Sequence, residues 1–316
     1  MINKKFLTAS MLASVLIVSA GCTSGNQTTS DNNSTEPVEV VQPEENPQAM
    51  EEQVMSDFNN LMANNPEIAE VIQFLEEAAP NVSPENVSVM ILALEDLQVN
   101  DLPIFEQKFT SSEELQVKFR DLFQAIVDVS KVENINDADA EITSLLQETK
   151  NSGYKIETAE GYYFPIIDYQ FYKNYSSKAT QEIQDYIEIM ANESNQVPAK
   201  DAALIISWDE IVARALAQEA FLMQYPNSGR LDQITELYKT YEMFTFFGLN
   251  NTPLFNYDTK KIDPVAKAVF LDTISKGMDS DYSEMLTNFL EILENNKDAL
   301  TNEVDAFRKD LTDFPS

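Results

Sequence analysis

The sequence contains no histidine and a single cysteine, Cys22. Without imidazole the chain has neither the usual general base nor the Ser-His and Cys-His nucleophile pairs, and it lacks the common ligands of zinc and copper. One cysteine closes no disulfide within the chain. Any catalysis would have to run on carboxylates, Tyr, Lys or Ser. Glycine is scarce too, with 7 among 316 residues. Doubly wound α/β folds spend glycines on their ligand-binding loops, so this scarcity favours an α-rich body. No phosphate loop, dinucleotide fingerprint or G-x-S-x-G elbow occurs. Cations are outnumbered, 21 Lys and Arg against 53 Asp and Glu, for a formal charge of -32. That charge repels a phosphate backbone and argues against nucleic acid as a partner. The apolar run from Phe6 to Ser19 is too short for a membrane span.

What is present begins with that run. Asn3-Lys4-Lys5 supplies a positive start, the apolar stretch follows, and Leu16-Ile17-Val18-Ser19-Ala20-Gly21-Cys22 ends in two small residues and the cysteine. Val18 to Cys22 resembles the lipobox of bacterial lipoproteins. The resemblance implies that residues 1–21 are a signal peptide, that Cys22 receives a diacylglyceryl group and becomes the first mature residue, and that the protein sits on the extracytoplasmic face of a bacterial cell membrane. Loss of Lys4 and Lys5 with the signal would make the mature chain more acidic still, leaving acyl chains rather than a basic patch as the attachment. Residues 22–48 are rich in Ser, Thr, Asn, Gln, Glu and Pro, with only the group Val38 to Val41 to bury. Such a segment reads as a flexible tether.

From about residue 49 the apolar period is helical. Val54, Phe58 and Leu61 form one stripe, Ile68, Val71, Ile72 and Leu75 a second, and Val87, Met90, Ile91, Leu94 and Leu97 a third. Leu115, Phe119, Leu122, Ile126 and Val129 continue the pattern. Ser83-Pro84 and Ser111-Ser-Glu-Glu114 supply start signals. After Gly153, Tyr154 to Thr158 and Tyr162 to Ile167 read as a β-hairpin turned at Ala159-Glu160-Gly161, and helices resume to the end. The fold class is therefore mainly α: a multi-helix bundle or helical-hairpin array with one small β-hairpin near 154–167. We divide the body into an N-terminal helical part, 49–150, and a hairpin plus C-terminal helical part, 151–316, which one continuous domain would also accommodate. Ala217, Phe221 and Tyr225-Pro226-Asn227-Ser228 resemble one tetratricopeptide-type helical hairpin over 217–238, with no second copy at the repeat spacing.

Functional candidates are few. Seven aromatics lie between Tyr162 and Tyr175, and Leu249 to Tyr257 joins amides to aromatics. Tyrosine carries an apolar ring and a hydroxyl, so Tyr162, Tyr163, Asp168, Tyr169, Asn250 and Asn251 are the candidate binding residues, with hairpin anchoring the competing role of the tyrosines. Asp137-Ala-Asp139-Ala-Glu141 and Asp279-Ser-Asp281-Tyr-Ser283-Glu284 lack the glycine and spacing of a calcium loop, and Asp137 and Asp281 read as helix caps. Trp208 reads as core, and Asp209 and Glu210 diverge on a helix. The sequence thus names no catalytic residue, metal site or cofactor. Two functions fit: a lipid-anchored binding or scaffold protein, whose partner is an envelope protein or wall polymer, or a carboxylate-dependent enzyme acting on wall glycan or peptide. Two acidic side chains facing each other across a cleft would favour the second.

Overall fold

The structure, a computed structural model, describes residues 46–123, 140–277 and 279–311. The Val18–Cys22 stretch, Cys22 itself, most of the expected tether, and Asp137 and Asp139 lie outside the described residues. The described residues belong to one compact unit, mainly α, in which twelve helices are joined by three two-stranded antiparallel hairpins.

Local signals explain most helix starts. Asn46 caps α1 (Pro47–Ala63) by accepting the Gln48 N–H at 3.2 Å, with Pro47 in the first turn where no donor is needed. Glu67 and Glu70 form a reciprocal capping box on α2 (Ile68–Ala78). Ser83 caps α3 (Pro84–Thr110), which runs on through Pro103 for 27 residues. An internal proline ordinarily breaks a helix. Here Phe105 and Phe109, two and six residues further on, are buried at 3% and 0% exposure, and their burial offsets the lost hydrogen bond. The Ser112 hydroxyl accepts the Leu115 N–H at the start of α4 (Glu113–Phe123), and α5 spans Ala140–Asn151.

β1 (Tyr154–Ala159) and β2 (Tyr162–Ile167) pair in register Tyr154 to Ile167 through Ala159 to Tyr162, as the sequence suggests. The aromatic run that follows is helical: α6 (Tyr169–Ser176) buries Tyr169, Tyr172 and Tyr175 at successive third positions. After α7 (Gln181–Asn195) comes a second, smaller hairpin, β3 (Ala199–Lys200) and β4 (Ala203–Leu204). The helical hairpin α8 (Trp208–Gln224) and α9 (Leu231–Phe247) precedes a third, β5 (Gly248–Leu249) and β6 (Thr252–Pro253). Strands of two residues are too short to show alternation, which is why sequence periodicity reveals only the first hairpin. α10 (Pro264–Ser275) is capped by Asp263, whose Oδ1 accepts two backbone N–H groups. α11 (Asp281–Asn295) is capped by Ser280, not by Asp281, which sits one place inside the first turn where its charge suits the helix dipole. α12 (Asn302–Leu311) ends the described chain.

Two apolar clusters make the core. The first draws on α1 to α7 and the first hairpin and ends on Phe221 and Ile234 of the helical hairpin. The second runs from Ile206 to Val304, and Leu237 of α9 packs against both. The clusters therefore part along the α8–α9 pair rather than near residue 150. Trp208 belongs to the second core, edge-on to Phe270 with ring centres 6.3 Å apart.

Candidate binding cleft

The third helix carries three polar residues on one edge, Glu95, Gln98 and Asp101, spaced three apart. Glu95 is 2% exposed and Gln98 is fully buried. Tyrosines from three elements meet this edge. Tyr169 and Tyr186 both donate to Glu95 Oε1, Tyr172 donates to Gln98 Oε1 at 2.5 Å, and Tyr154 reaches the Gln98 carbonyl at 2.9 Å and Asp101 Oδ2 at 3.1 Å. Gln98 Nε2 donates to the Ser152 carbonyl at 2.7 Å, which fixes the amide's orientation. Arg230, from the turn between α8 and α9, closes on Glu95 Oε2 at 2.9 Å and Asp96 at 2.7 Å. Burial first raises the pKa of all four tyrosines, with Asp101 adding to it for Tyr154, Glu95 for Tyr169 and Tyr172, and the Tyr169 phenol and then Glu95 for Tyr186. All four therefore stay protonated donors across the range in which proteins work.

At its Asp101 end this seam borders a cleft of about 1000 Å³. One wall is the start of α2, with Glu67 and Ile68; the second is α3, with Leu97, Asp101, Phe105 and Lys108. The third is α5, which contributes Thr143, Ser144, Gln147, Glu148 and Asn151. Gly153 lies next to this wall at φ +65°, and a Cβ there would stand 2.7 Å from Gln98 Nε2. Glycine is thus required where α5 turns into β1 against the seam. Each carboxylate of the cleft already has a protein partner. Glu148 pairs with Lys108 at 2.5 Å, Asp101 accepts from Tyr154, and Glu67 caps α2. Among the described residues no three His, Cys, Asp or Glu side chains converge where they could hold a metal ion. A smaller groove of about 430 Å³ lies between α8 and α10, lined largely by Val212, Leu216, Val265 and Val269.

The residues singled out in the sequence take other places. Tyr162 is exposed at the start of β2. The Tyr163 ring lies on Phe119 and Phe123, at 5.8 and 5.5 Å, and its backbone is clamped by Gln116 through two 2.9 Å hydrogen bonds. Asp168 caps α6 through the Gln170 N–H and pairs with Lys155 at 3.3 Å. Tyr169 is core, its hydroxyl spent on Glu95, so it leaves the candidate surface. Asn250 and Asn251 are exposed in the β5–β6 turn, where Asn251 ties two hairpins together through the Ala202 and Asp201 carbonyls at 2.8 and 2.7 Å. A Glu157–Lys200 ion pair of 2.6 Å links the first hairpin to the second, so the three hairpins form a chain of contacts, held mainly by groups that already have partners.

Sequence reasoning passed over the seam and the cleft. Glu95 and Gln98 stand four residues after Ile91 and Leu94, on the apolar stripe itself, and a charged residue in that position is the one available signal of a buried polar network. No comparable signal marks Arg230 or the polar face of α5. No family model matches the chain, and no curated protein or solved structure matches it.

Proposed function

We propose that the protein is a binding protein of a bacterial cell envelope, held on the extracytoplasmic face of the membrane by lipid on Cys22, and that the α2–α3–α5 cleft receives its ligand. The observation that carries the binding reading is that each carboxylate of the cleft already has a protein partner. An acid–base enzyme keeps carboxylates poised for a reacting bond. Here Glu67, Asp101 and Glu148 are committed to a helix cap, a phenol and a lysine. The anchor is supported by the lipobox-like run into Cys22, and no described helix is long and apolar enough to cross a membrane. The hairpin side, with exposed Tyr162 and Asn250, is a secondary contact in this reading.

The two halves are tested separately. Cys22→Ser should leave the precursor uncleaved or release the protein from membranes, with mass spectrometry of the mature N-terminus reading a lipid-modified cysteine in the native protein. An unmodified end elsewhere, with unchanged membrane recovery, sinks the anchor. Ser144→Trp fills the cleft from an exposed position and should abolish recovery of envelope material in a cross-linking pull-down from intact cells while the melting temperature holds. Unchanged recovery sinks the cleft.

A further inference from the structure

We propose, resting on the binding reading above, that the cleft recognises an uncharged, hydroxyl-rich ligand, a short neutral saccharide chain. The α5 wall presents the polar face. Thr143, Gln147 and Asn151 are spaced four apart, so they form one stripe along the cleft about 12 Å long, room for two or three sugar rings. Gln147 Nε2 donates to Asn151 Oδ1 at 2.8 Å. That bond consumes one donor and one acceptor and leaves Gln147 Oε1 and Asn151 Nδ2 uncommitted, an acceptor beside a donor. Turning both amides over leaves the same pair exposed. A hydroxyl both donates and accepts, and neighbouring hydroxyls on a ring complement such a pair. Ser144 adds a hydroxyl from the adjoining row.

Charge narrows the class further. An anion meets a chain of formal charge -32 and a cleft whose lysine is neutralised by Glu148 at 2.5 Å. A cation is the rival on a count of carboxylates, but Glu67 is compensated by the amides of the α2 N-terminus and Asp101 by the Tyr154 hydroxyl. A neutral ligand leaves those pairs intact and brings no charge to be desolvated in the cleft. Pro66 and Leu97, both half-buried, supply apolar surface for the ring C–H faces.

The test uses the full chain in detergent, titrated by calorimetry with the N-acetylglucosamine tetramer, its deacetylated cationic form, a uronate tetramer and a blocked neutral Ser/Gln tetrapeptide, each at low and high salt. The neutral tetramer should bind with an affinity indifferent to salt, since no ion pair is made. Gln147→Ala combined with Asn151→Ala, both exposed, should weaken it at least about tenfold, two hydrogen bonds' worth. Ser144→Trp should abolish it, and circular dichroism should show both variants folded. The proposal is overturned if the neutral tetramer fails to bind, if its binding survives Ser144→Trp, or if a charged tetramer binds more tightly at high salt. Peptide binding lost in Ser144→Trp, with no saccharide binding, overturns the ligand class and leaves the binding reading standing. If Ser144→Trp changes neither any probe nor the envelope pull-down, both fall.

Discussion

Glu95 and Phe289 occupy comparable places, each on a long helix and each enclosed, at 2% and 0% exposure. Around Glu95 every contact that matters is directional: two phenols on one oxygen, a guanidinium on the other. Around Phe289 the neighbours are rings, Phe246 edge-on at 5.3 Å and Phe255 at 6.4 Å. The second core does have polar groups, the Thr245 and Tyr282 hydroxyls at 2.6 Å and the buried Glu219, which accepts the Tyr282 N–H at 2.7 Å, yet the rings around Phe289 carry no charge. Directional bonds accept one register of α3 against α6, α7 and the α8–α9 turn, whereas apolar packing tolerates small slips. The cleft lies against the part with the stricter register.

The contrast can be broken at its two centres. Glu95→Ala strands two buried phenols and takes from Arg230 the more buried of its two carboxylates, leaving Asp96, and should cost about 3–5 kcal/mol in urea unfolding. Phe289→Ala should cost a similar amount, about 3–5 kcal/mol, through its cavity. The second substitution separates them. Arg230→Met should cost less on top of Glu95→Ala than in the native protein, because its bond to Glu95 is already gone, while it should add its full cost to Phe289→Ala without coupling. Equal behaviour of the two pairs would refute an ionic centre in the first core.

Two glycines sharpen the comparison at smaller cost. Gly248 has φ +70°, and a Cβ there would stand 2.3 Å from the Thr252 carbonyl oxygen and 2.7 Å from the Leu254 nitrogen, both backbone atoms that cannot step aside. Gly248→Ala should therefore cost about 3 kcal/mol, at the top of the range for backbone strain. Gly153→Ala meets a side-chain amide instead, Gln98 Nε2 at 2.7 Å, and should cost about 1–2 kcal/mol. If the order is reversed, Gln98 is held more rigidly by Ser152 and Tyr172 than a side chain ordinarily is.

These positions also show what the sequence could and could not convey. Helix stripes and caps were legible because apolar period and start signals are local: Ser83-Pro84 and Asp263-Pro264 act where they stand. The tyrosines from Tyr169 to Tyr175 drew attention by density, yet density does not tell inside from outside. Their spacing of three is what puts them on one face of α6, against the core. The cleft was illegible because its walls come from residues 66–69, 97–108 and 140–152, whose juxtaposition depends on how three helices pack. Arg230 was illegible for the same reason, being 135 residues from the carboxylate it holds.

The smallest effect concerns the layer where α7, α8 and α9 meet. There Glu193 accepts from the Tyr241 hydroxyl at 2.7 and 2.8 Å and lies 3.4 Å from Arg214, which also pairs with Glu210 at 2.7 Å. Burial raises the pKa of the Glu193 carboxyl above its ordinary value of 4.5, and the Tyr241 hydrogen bond and Arg214 only partly offset it. The folded protein then holds this proton to higher pH than the unfolded chain does. The contribution to stability is complete below about 4.5 and is lost as pH rises through the folded value, because over that window the unfolded chain binds fewer protons. Glu193→Gln cannot titrate and should remove this downward component. Urea unfolding at closely spaced pH values from 4 upward should therefore give a difference curve, variant minus native, that rises through the window and then levels; a flat difference would show that the carboxyl titrates alike in both states.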